Sequence, residues 1–246
     1  MPAGADSQEL LVFAAASLRE TFGAIAATYE REHAGWKVIL NLAGSQELRT
    51  QLEQGAPADV FAVADLKQLA PLHTAGLVAT PRTFARNEPV LIAPKGSPLA
   101  KFTDLSKAER IVIGTPEVPI GAYTLQILDK AAARLGAKFK ADVLGHVVSH
   151  ELNVRQVLAK VTLGEADAGV VYRTDALTAK DQVRVISIPA ELNVVAEYPI
   201  ATVKASKHAE AAQAFVSLVT SARGAQQLKA AGFSPVTGKS AVATAK

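Results

Sequence analysis

Two serines stand where apolar runs of this chain give way to helical spacing, and a hydroxyl in such a place can hydrogen-bond an anion. Ser17 follows Val12-Phe13-Ala14-Ala15-Ala16 and precedes a segment in which Phe22, Ile25, Ala26 and Tyr29 recur at helical intervals. Ser45 follows the strand-like run Trp36 to Leu42 and the small turn Ala43-Gly44, ahead of a helix over Gln46 to Gln54 that Gly55 stops. Each hydroxyl can also be read as a helix cap, and Ser17-Leu18-Arg19-Glu20 fits the capping-box pattern. The roles are compatible, because a hydroxyl can accept from its own helix and donate its proton outward. Three further places for donors lie later in the chain. Pro119 suits a first helical position and has no N–H, which makes the amides of Ile120 and Gly121 the next free donors; Asn153 caps a helix whose first-turn amides include that of Val154; and the phenol of Tyr172 closes the apolar run Ala168 to Tyr172. None of the five positions carries a full charge. Helix N-termini offer partial positive charge and unsatisfied N–H groups, so the set suits a dehydrated oxyanion held by neutral donors.

The elements that must position these groups follow a β–turn–α order with short connections. Leu10 to Ala14, Trp36 to Leu42 and Val60 to Val63 read as strands, each followed by a helix, with Asp65 as the cap of a helix over Leu66 to Ala75. That order implies an α/β fold with mostly parallel sheets flanked by helices, and such sheets place a ligand outside the carboxyl ends of their strands. Near Phe84 to Glu88 the character changes and a crossover into a second lobe is expected. Further strands are read at Val90 to Ala93, Arg110 to Gly114, Val143 to Val148, Ala168 to Tyr172, Val183 to Ile188 and Val194 to Ala201, and a short helix opens at Asp175. The Tyr198-Pro199-Ile200 segment returns the chain, and helices over Ala209 to Thr220 and Arg223 to Ala231 pack on the first lobe. The expected division is residues 9–85 and 199–236 in lobe one, 86–198 in lobe two, and loose tails at 1–8 and 237–246.

Composition narrows the function. The 246 residues are 49% hydrophobic, 20% charged and 5% aromatic, which fits a globular α/β protein and not a disordered one. Few aromatics argue against a base- or sugar-stacking surface, and a net charge of only +3 with scattered basic residues gives no nucleic-acid footprint. The absence of cysteine removes thiol catalysis, Cys-based metal sites and disulfides together. No apolar run approaches the length of a membrane span, and residues 1–8 lack the regions of a signal peptide, as would be so both for a mature exported chain with an added starting Met and for a cytosolic protein. His146 and His150 have an i, i+4 spacing, but they fall in a β-branched run where that spacing gives no facing pair, so surface or partly buried histidines are the simpler reading. Asp59 and Asp65 flank one strand and could form a carboxylate pair, although loop caps explain them. Ala15-Ala16-Ser17-Leu18-Arg19 lacks both glycines of a nucleophile elbow, which counts against a serine hydrolase.

An ordered set of segments resembles the periplasmic molybdate-binding proteins of ABC transporters. It comprises Val12 to Leu18, Ala43-Gly44-Ser45, Gln54 to Phe61 (Gln-Gly-Ala-Pro-Ala-Asp-Val-Phe), Asn87 with Val90 to Pro94, Val118-Pro119-Ile120-Gly121, Asn153-Val154-Arg155, Gly164 to Ala176 and Tyr198-Pro199-Ile200. The resemblance implies a two-lobed periplasmic-binding-protein-like clam-shell of class II. It would take molybdate, and usually tungstate, and deliver it to a membrane permease and its ATPase. It further implies that Ser17 and Ser45 donate hydroxyl and backbone N–H bonds, Ile120 and Val154 backbone N–H bonds, and Tyr172 its phenol. The metal would be met only through the oxygens of the oxyanion. No enzyme activity, no cofactor, no nucleic-acid partner, a monomer and a periplasmic location follow as expectations. This chain has Ile120 where the family often has Ala and Gln46 where a hydroxyl residue usually follows the second serine, and its segment between Gly136 and Asn153 looks longer than is common. The same clam-shell with sulfate, phosphate or a small organic anion is the alternative. The ligand-sensing half of a transcription regulator shares the fold but would need a helix-turn-helix, and only the eight residues of the expected tail precede lobe one.

Overall fold

A computed structural model of the chain describes residues 7–236, so the expected tails lie, but for Ser7 and Gln8, outside the described residues. The chain divides into two compact units. One holds the described residues up to Arg86 together with those from Glu197 onward, and the other is Asn87–Ala196.

The first unit opens with β1 (Gln8–Ala15), a 3₁₀ turn over Ala16–Leu18, α1 (Arg19–Glu32), β2 (Trp36–Ala43), α2 (Ser45–Glu53), β3 (Val60–Ala62), α3 (Leu66–Thr74) and β4 (Arg82–Asn87). The second contains β5 (Pro89–Pro94), a 3₁₀ turn over Phe102–Lys107, β6 (Ile111–Gly114), α4 (Pro119–Leu135), α5 (Ala137–Gly145), β7 (Val147–Glu151), α6 (Val154–Thr162), β8 (Ala168–Tyr172), α7 (Arg173–Thr178) and β9 (Val183–Ile186). The chain then supplies the first unit with β10 (Ala196–Thr202), α8 (Ala209–Val219), α9 (Ala222–Ala230) and the short β11 (Ser234–Pro235). The return thus falls within β10 at Glu197, two residues before the position read from the sequence.

Each unit is a sheet flanked by helices, and both sheets are mixed. The first has the order β11-β4-β10-β3-β1-β2, in which β1 pairs in parallel with β2 and β3 while β10 runs antiparallel to β3. The second has the order β7-β6-β8-β5-β9, with β6 parallel to β7 and β8, and β5 antiparallel to β8 and β9. The parallel pairs are those fed through helices, as a parallel connection requires. Both β5 and β10 start where the chain has just crossed between units, with no crossover helix to set their direction, and both pair antiparallel, β5 with β8 and β9 and β10 with β3; the short β11 also pairs antiparallel, with β4.

Two structural details differ from the sequence reading. Phe84 to Glu88 holds a true strand, β4, rather than a bare crossover, because Phe84 and Ala85 are buried in the first sheet. Residues 137–145 form α5 rather than a loop and an early strand. Its apolar pair Phe139 and Val143 has i, i+4 spacing, Lys138 and Asp142 pair at 2.7 Å on the solvent side, and Phe139 packs on Phe102 with ring centroids 5.5 Å apart.

The core of the first unit lies on both faces of its sheet. On one, Phe13 and Phe61 pack with Leu48 and Leu52 of α2 and Leu69 and Leu72 of α3. On the other, an aromatic cluster runs from Tyr29 through Phe215, Phe22 and Phe84 to Tyr198 and Phe233, with successive ring centroids 5.3–6.3 Å apart.

In the second unit, Asp104 organises the 3₁₀ turn. It accepts from the amides of Ala100 and Lys101, both at 3.1 Å, and from Lys107 Nζ at 2.9 Å. The Lys107 ammonium, with those amides, lowers the Asp104 carboxyl from the usual 3.8 to about 2. A depressed acid stabilises the folded state above its unfolded value, and that contribution is lost as pH falls through the folded one. Asp104→Asn should therefore melt below the wild type at pH 5–6, and the gap should shrink toward pH 2; thermal melts across that range measure it.

Candidate functional site

In the first unit the two serines sit at equivalent places on neighbouring strands. Ala15 of β1 is in register with Ala43 of β2, and Ser17 and Ser45 each lie two residues further on. Both are buried. Their local roles differ from the capping read from the sequence. Ser17 lies inside the 3₁₀ turn, neither that turn nor α1 has a side-chain cap, and its Oγ pairs with the phenol of Tyr198 at 3.0 Å. The capping box fails because the 3₁₀ turn puts Leu18, not Ser17, at the N-cap of α1. At the second junction Gly44 is the N-cap and Ser45 the first helical residue. Glu47 accepts from the Gly44 amide at 2.8 Å, and Ser45 Oγ accepts from the Ala64 amide, just past β3, at 3.2 Å. Both hydroxyls are thus held by groups from elsewhere in the same sheet, the Tyr198 phenol of β10 and the Ala64 amide just past β3.

In the second unit Ile120, Val154 and Tyr172 collect at the carboxyl ends of β6, β7 and β8, three adjacent parallel strands. Pro119 takes the first position of α4, whose N-cap Val118 gives no side-chain bond, and Ala122 N–H is the first to find an intrahelical acceptor, Val118 O at 2.9 Å. The first-turn amides of this helix are therefore those of Ile120 and Gly121. Gly121 is there because backbone meets backbone. A Cβ on it would lie 2.0 Å from Thr115 O and 2.5 Å from Gly114 O. The Ile120 side chain is buried, and its Cγ2 lies 3.1 Å from where a Cβ on Gly114 would be; the absence of that Cβ makes room for the isoleucine. Asn153 caps α6 by accepting from the Arg155 and Gln156 amides at 3.0 and 3.2 Å, so the first-turn amide that this cap leaves is Val154's. Tyr172 ends β8 with 1% of its surface exposed and meets Tyr123 of α4 edge to face at 6.4 Å.

Asp59 and Asp65 stand at opposite ends of β3 and form no pair. Asp65 caps α3 by accepting from Gln68 N–H at 2.9 Å, and burial raises its pKa. Asp59 accepts from Leu11 N–H at 2.7 Å and Ser206 Oγ at 2.5 Å. It lines a cavity of about 580 Å³ in the first unit, with Leu11, Lys204 and His208, at the strand ends opposite those that carry the serines. His150 lies in β7, with His146 before it, and the described residues hold no group of three or more His, Cys, Asp or Glu suited to a metal. Sequence reasoning did not reach two parts of the arrangement. One is the Tyr198 phenol on Ser17, which depends on residues 181 apart. The other is a buried ion pair, Arg155 Nε to Asp175 Oδ1 at 2.6 Å, between α6 and α7.

Residues 10–234 match the family model described as bacterial extracellular solute-binding protein. The molybdate-binding protein ModA of Mycobacterium bovis is 39% identical over 231 residues, 92% of this chain and 85% of that protein. Its counterpart in Escherichia coli is 35% identical over 240 residues, 93% and 90% of the two chains. The periplasmic molybdate-binding protein of Azotobacter vinelandii superposes with a TM-score of 0.80 at 23% identity, covering 91% of this chain and 98% of that one, a likeness of fold. Helix starts carrying uncharged donors, on mixed sheets in two units, are the framework of a solute-binding protein. The chain belongs to the bacterial extracellular solute-binding protein family. Among the described residues no helix is long and apolar enough to cross a membrane.

The aromatic cluster holds the Tyr198 ring independently of its hydroxyl. Tyr198→Phe should therefore keep the fold and lose about 0.5–1.5 kcal/mol, the worth of one hydrogen bond, as read by urea denaturation.

Proposed function

We propose that this protein captures molybdate, and tungstate as well, and delivers it to the permease and ATPase of an ABC transporter. The observation that carries this reading is the placement of five uncharged donors at the carboxyl edges of the two sheets. Ser17 and Ser45 supply them in one unit, and the Ile120 and Val154 amides with the Tyr172 phenol in the other. Relatives that bear the name molybdate-binding protein, at 35–39% identity over more than nine-tenths of this chain, support the choice of oxyanion.

Neutral donors at helix starts suit a fully ionised, tetrahedral dianion. Each donates to an oxygen, the partial charges of the helix ends add to the attraction, and low local dielectric strengthens each bond. The oxyanion is cargo, bound through its oxygens, with no cofactor and no covalent step. The protein acts as a monomer in the periplasm. Sulfate offers the same acceptors on a smaller body, so the position of the donors, not their number, sets the preference for the larger anion.

Sodium molybdate should raise the melting temperature, since a ligand at 100 times its Kd that binds only the native state adds about 2.7 kcal/mol. Sulfate at equal concentration should do little. Calorimetric titration with molybdate, tungstate, sulfate and phosphate measures the order directly, and no heat with either of the first two rejects the reading. Ser17→Ala and Ser45→Ala should each weaken molybdate binding by about 1–3 kcal/mol, the range for a hydrogen bond to a charged partner. Unchanged affinity in both would leave these serines with structural roles alone.

A further inference from the structure

Beside the donors of the second unit lies a charged pair for which the molybdate reading has no use. Arg155 follows Val154 in the first turn of α6, and Asp175 lies three residues beyond Tyr172 in α7. Arg155 Nε is 2.6 Å from Asp175 Oδ1, the aspartate side chain is fully buried, and that of the arginine is 19% exposed. A terminal guanidinium nitrogen donates to Thr178 Oγ1 at 3.4 Å. The turn after Tyr172 is held from its other side too. Asn87 Nδ2 donates to Thr174 Oγ1 at 2.8 Å, the Arg173 amide donates to Glu88 O at 2.8 Å, and the Arg173 guanidinium meets the Glu88 carboxylate at 3.1 Å.

A buried ion pair is a costly way to join two helices, because apolar residues of similar volume hold them as well or better. What a guanidinium adds is direction. Its planar fork fixes orientation as well as distance, which an apolar contact cannot do. Here that direction is imposed between the turn that carries the Val154 amide and the turn that follows the Tyr172 phenol. We propose that Arg155 and Asp175 are positioning residues of the oxyanion site. By locking α6 to α7 they set the spacing of the Val154 and Tyr172 donors, and with it the choice between tetrahedral dianions of different size. The aspartate also cancels the guanidinium charge that would otherwise stand beside the Val154 amide and attract any anion regardless of size.

This inference rests on the oxyanion reading above, and one experiment separates the two. The full chain, wild type and with Asp175→Asn, Arg155→Met or Arg155→Lys, is titrated calorimetrically with sodium molybdate and sodium sulfate at low and high ionic strength. Folding of each is checked by circular dichroism. Asp175→Asn, which leaves the guanidinium uncancelled, should narrow the molybdate-to-sulfate affinity ratio and make affinity fall more steeply with salt. Arg155→Met should lower molybdate affinity about tenfold or more, as when a partner that orients a ligand group is removed. Arg155→Lys keeps the pair neutral without the fork, so it should retain the wild-type salt slope but not the ratio. If the wild type binds neither molybdate nor tungstate, the functional reading itself fails. If the wild type binds and the folded variants keep its ratio and salt slope, the pair is merely structural and only this inference is overturned. Loss of folding in all three variants counts against it in the same way.

Discussion

Capture of an oxyanion by uncharged groups, as proposed above, asks for several donors at fixed spacing, and in each unit of this protein strand register sets the spacing of the strand ends from which they would project. Pairing of β1 with β2 brings Ala15 level with Ala43, so the two chains leave the sheet together and deliver Ser17 and Ser45 to the same edge. In the second unit β6 lies between β7 and β8, parallel to both, and the helix starts that follow β6 and β7 share an edge with Tyr172. A slip of one residue would turn every side chain of a strand to the opposite face. In β6 and β8, buried along their whole length, each face is packed against its own neighbours, and a slip would break the packing on both.

Backbone donors make such a site indifferent to some side chains and intolerant at others. Ile120 is one example: its side chain packs where Gly114 has no Cβ to meet it, and its amide would be presented whatever that side chain was. Gly121 has no such latitude, since any Cβ there meets the Thr115 and Gly114 carbonyls. The serine hydroxyls are held instead by cross-strand partners, Tyr198 for Ser17 and the Ala64 amide for Ser45, so their orientation is a property of the sheet and not of a helix cap.

Much of this was legible in the sequence because it is local. Pro119 at a first helical position, Asn153 and Asp65 as caps, and the apolar strands that precede them are each set by a few adjacent residues. The helix over 137–145 was equally local, through Phe139 and Val143, and was obscured by the β-branched residues just after it. The role of Ser17 was not legible. Ser17-Leu18-Arg19-Glu20 has the residue types of a capping box, but the 3₁₀ turn shifts the cap to Leu18 and a tyrosine far along the chain claims the hydroxyl. Nor could Arg155 and Asp175 be paired by inspection, for neither spacing nor periodicity links α6 to α7. The antiparallel entry of β5 and β10 likewise depends on where the chain crosses between units.

The partnership of Ser17 with Tyr198 ties the first strand of the chain to one near its end. Asn87–Ala196 is a continuous stretch, whereas the other unit is assembled from both ends of the chain. During vectorial synthesis or export, in which the amino-terminal segment emerges first, the continuous unit has all its strands before the divided one does. Ser17 acquires its partner only once β10 has arrived, and the Tyr198 ring is packed only once Phe233 follows it. Completion of the polypeptide is thus itself the event that gives Ser17 its hydrogen-bond partner, and a nascent chain that stops short of β10 carries the serine without its phenol.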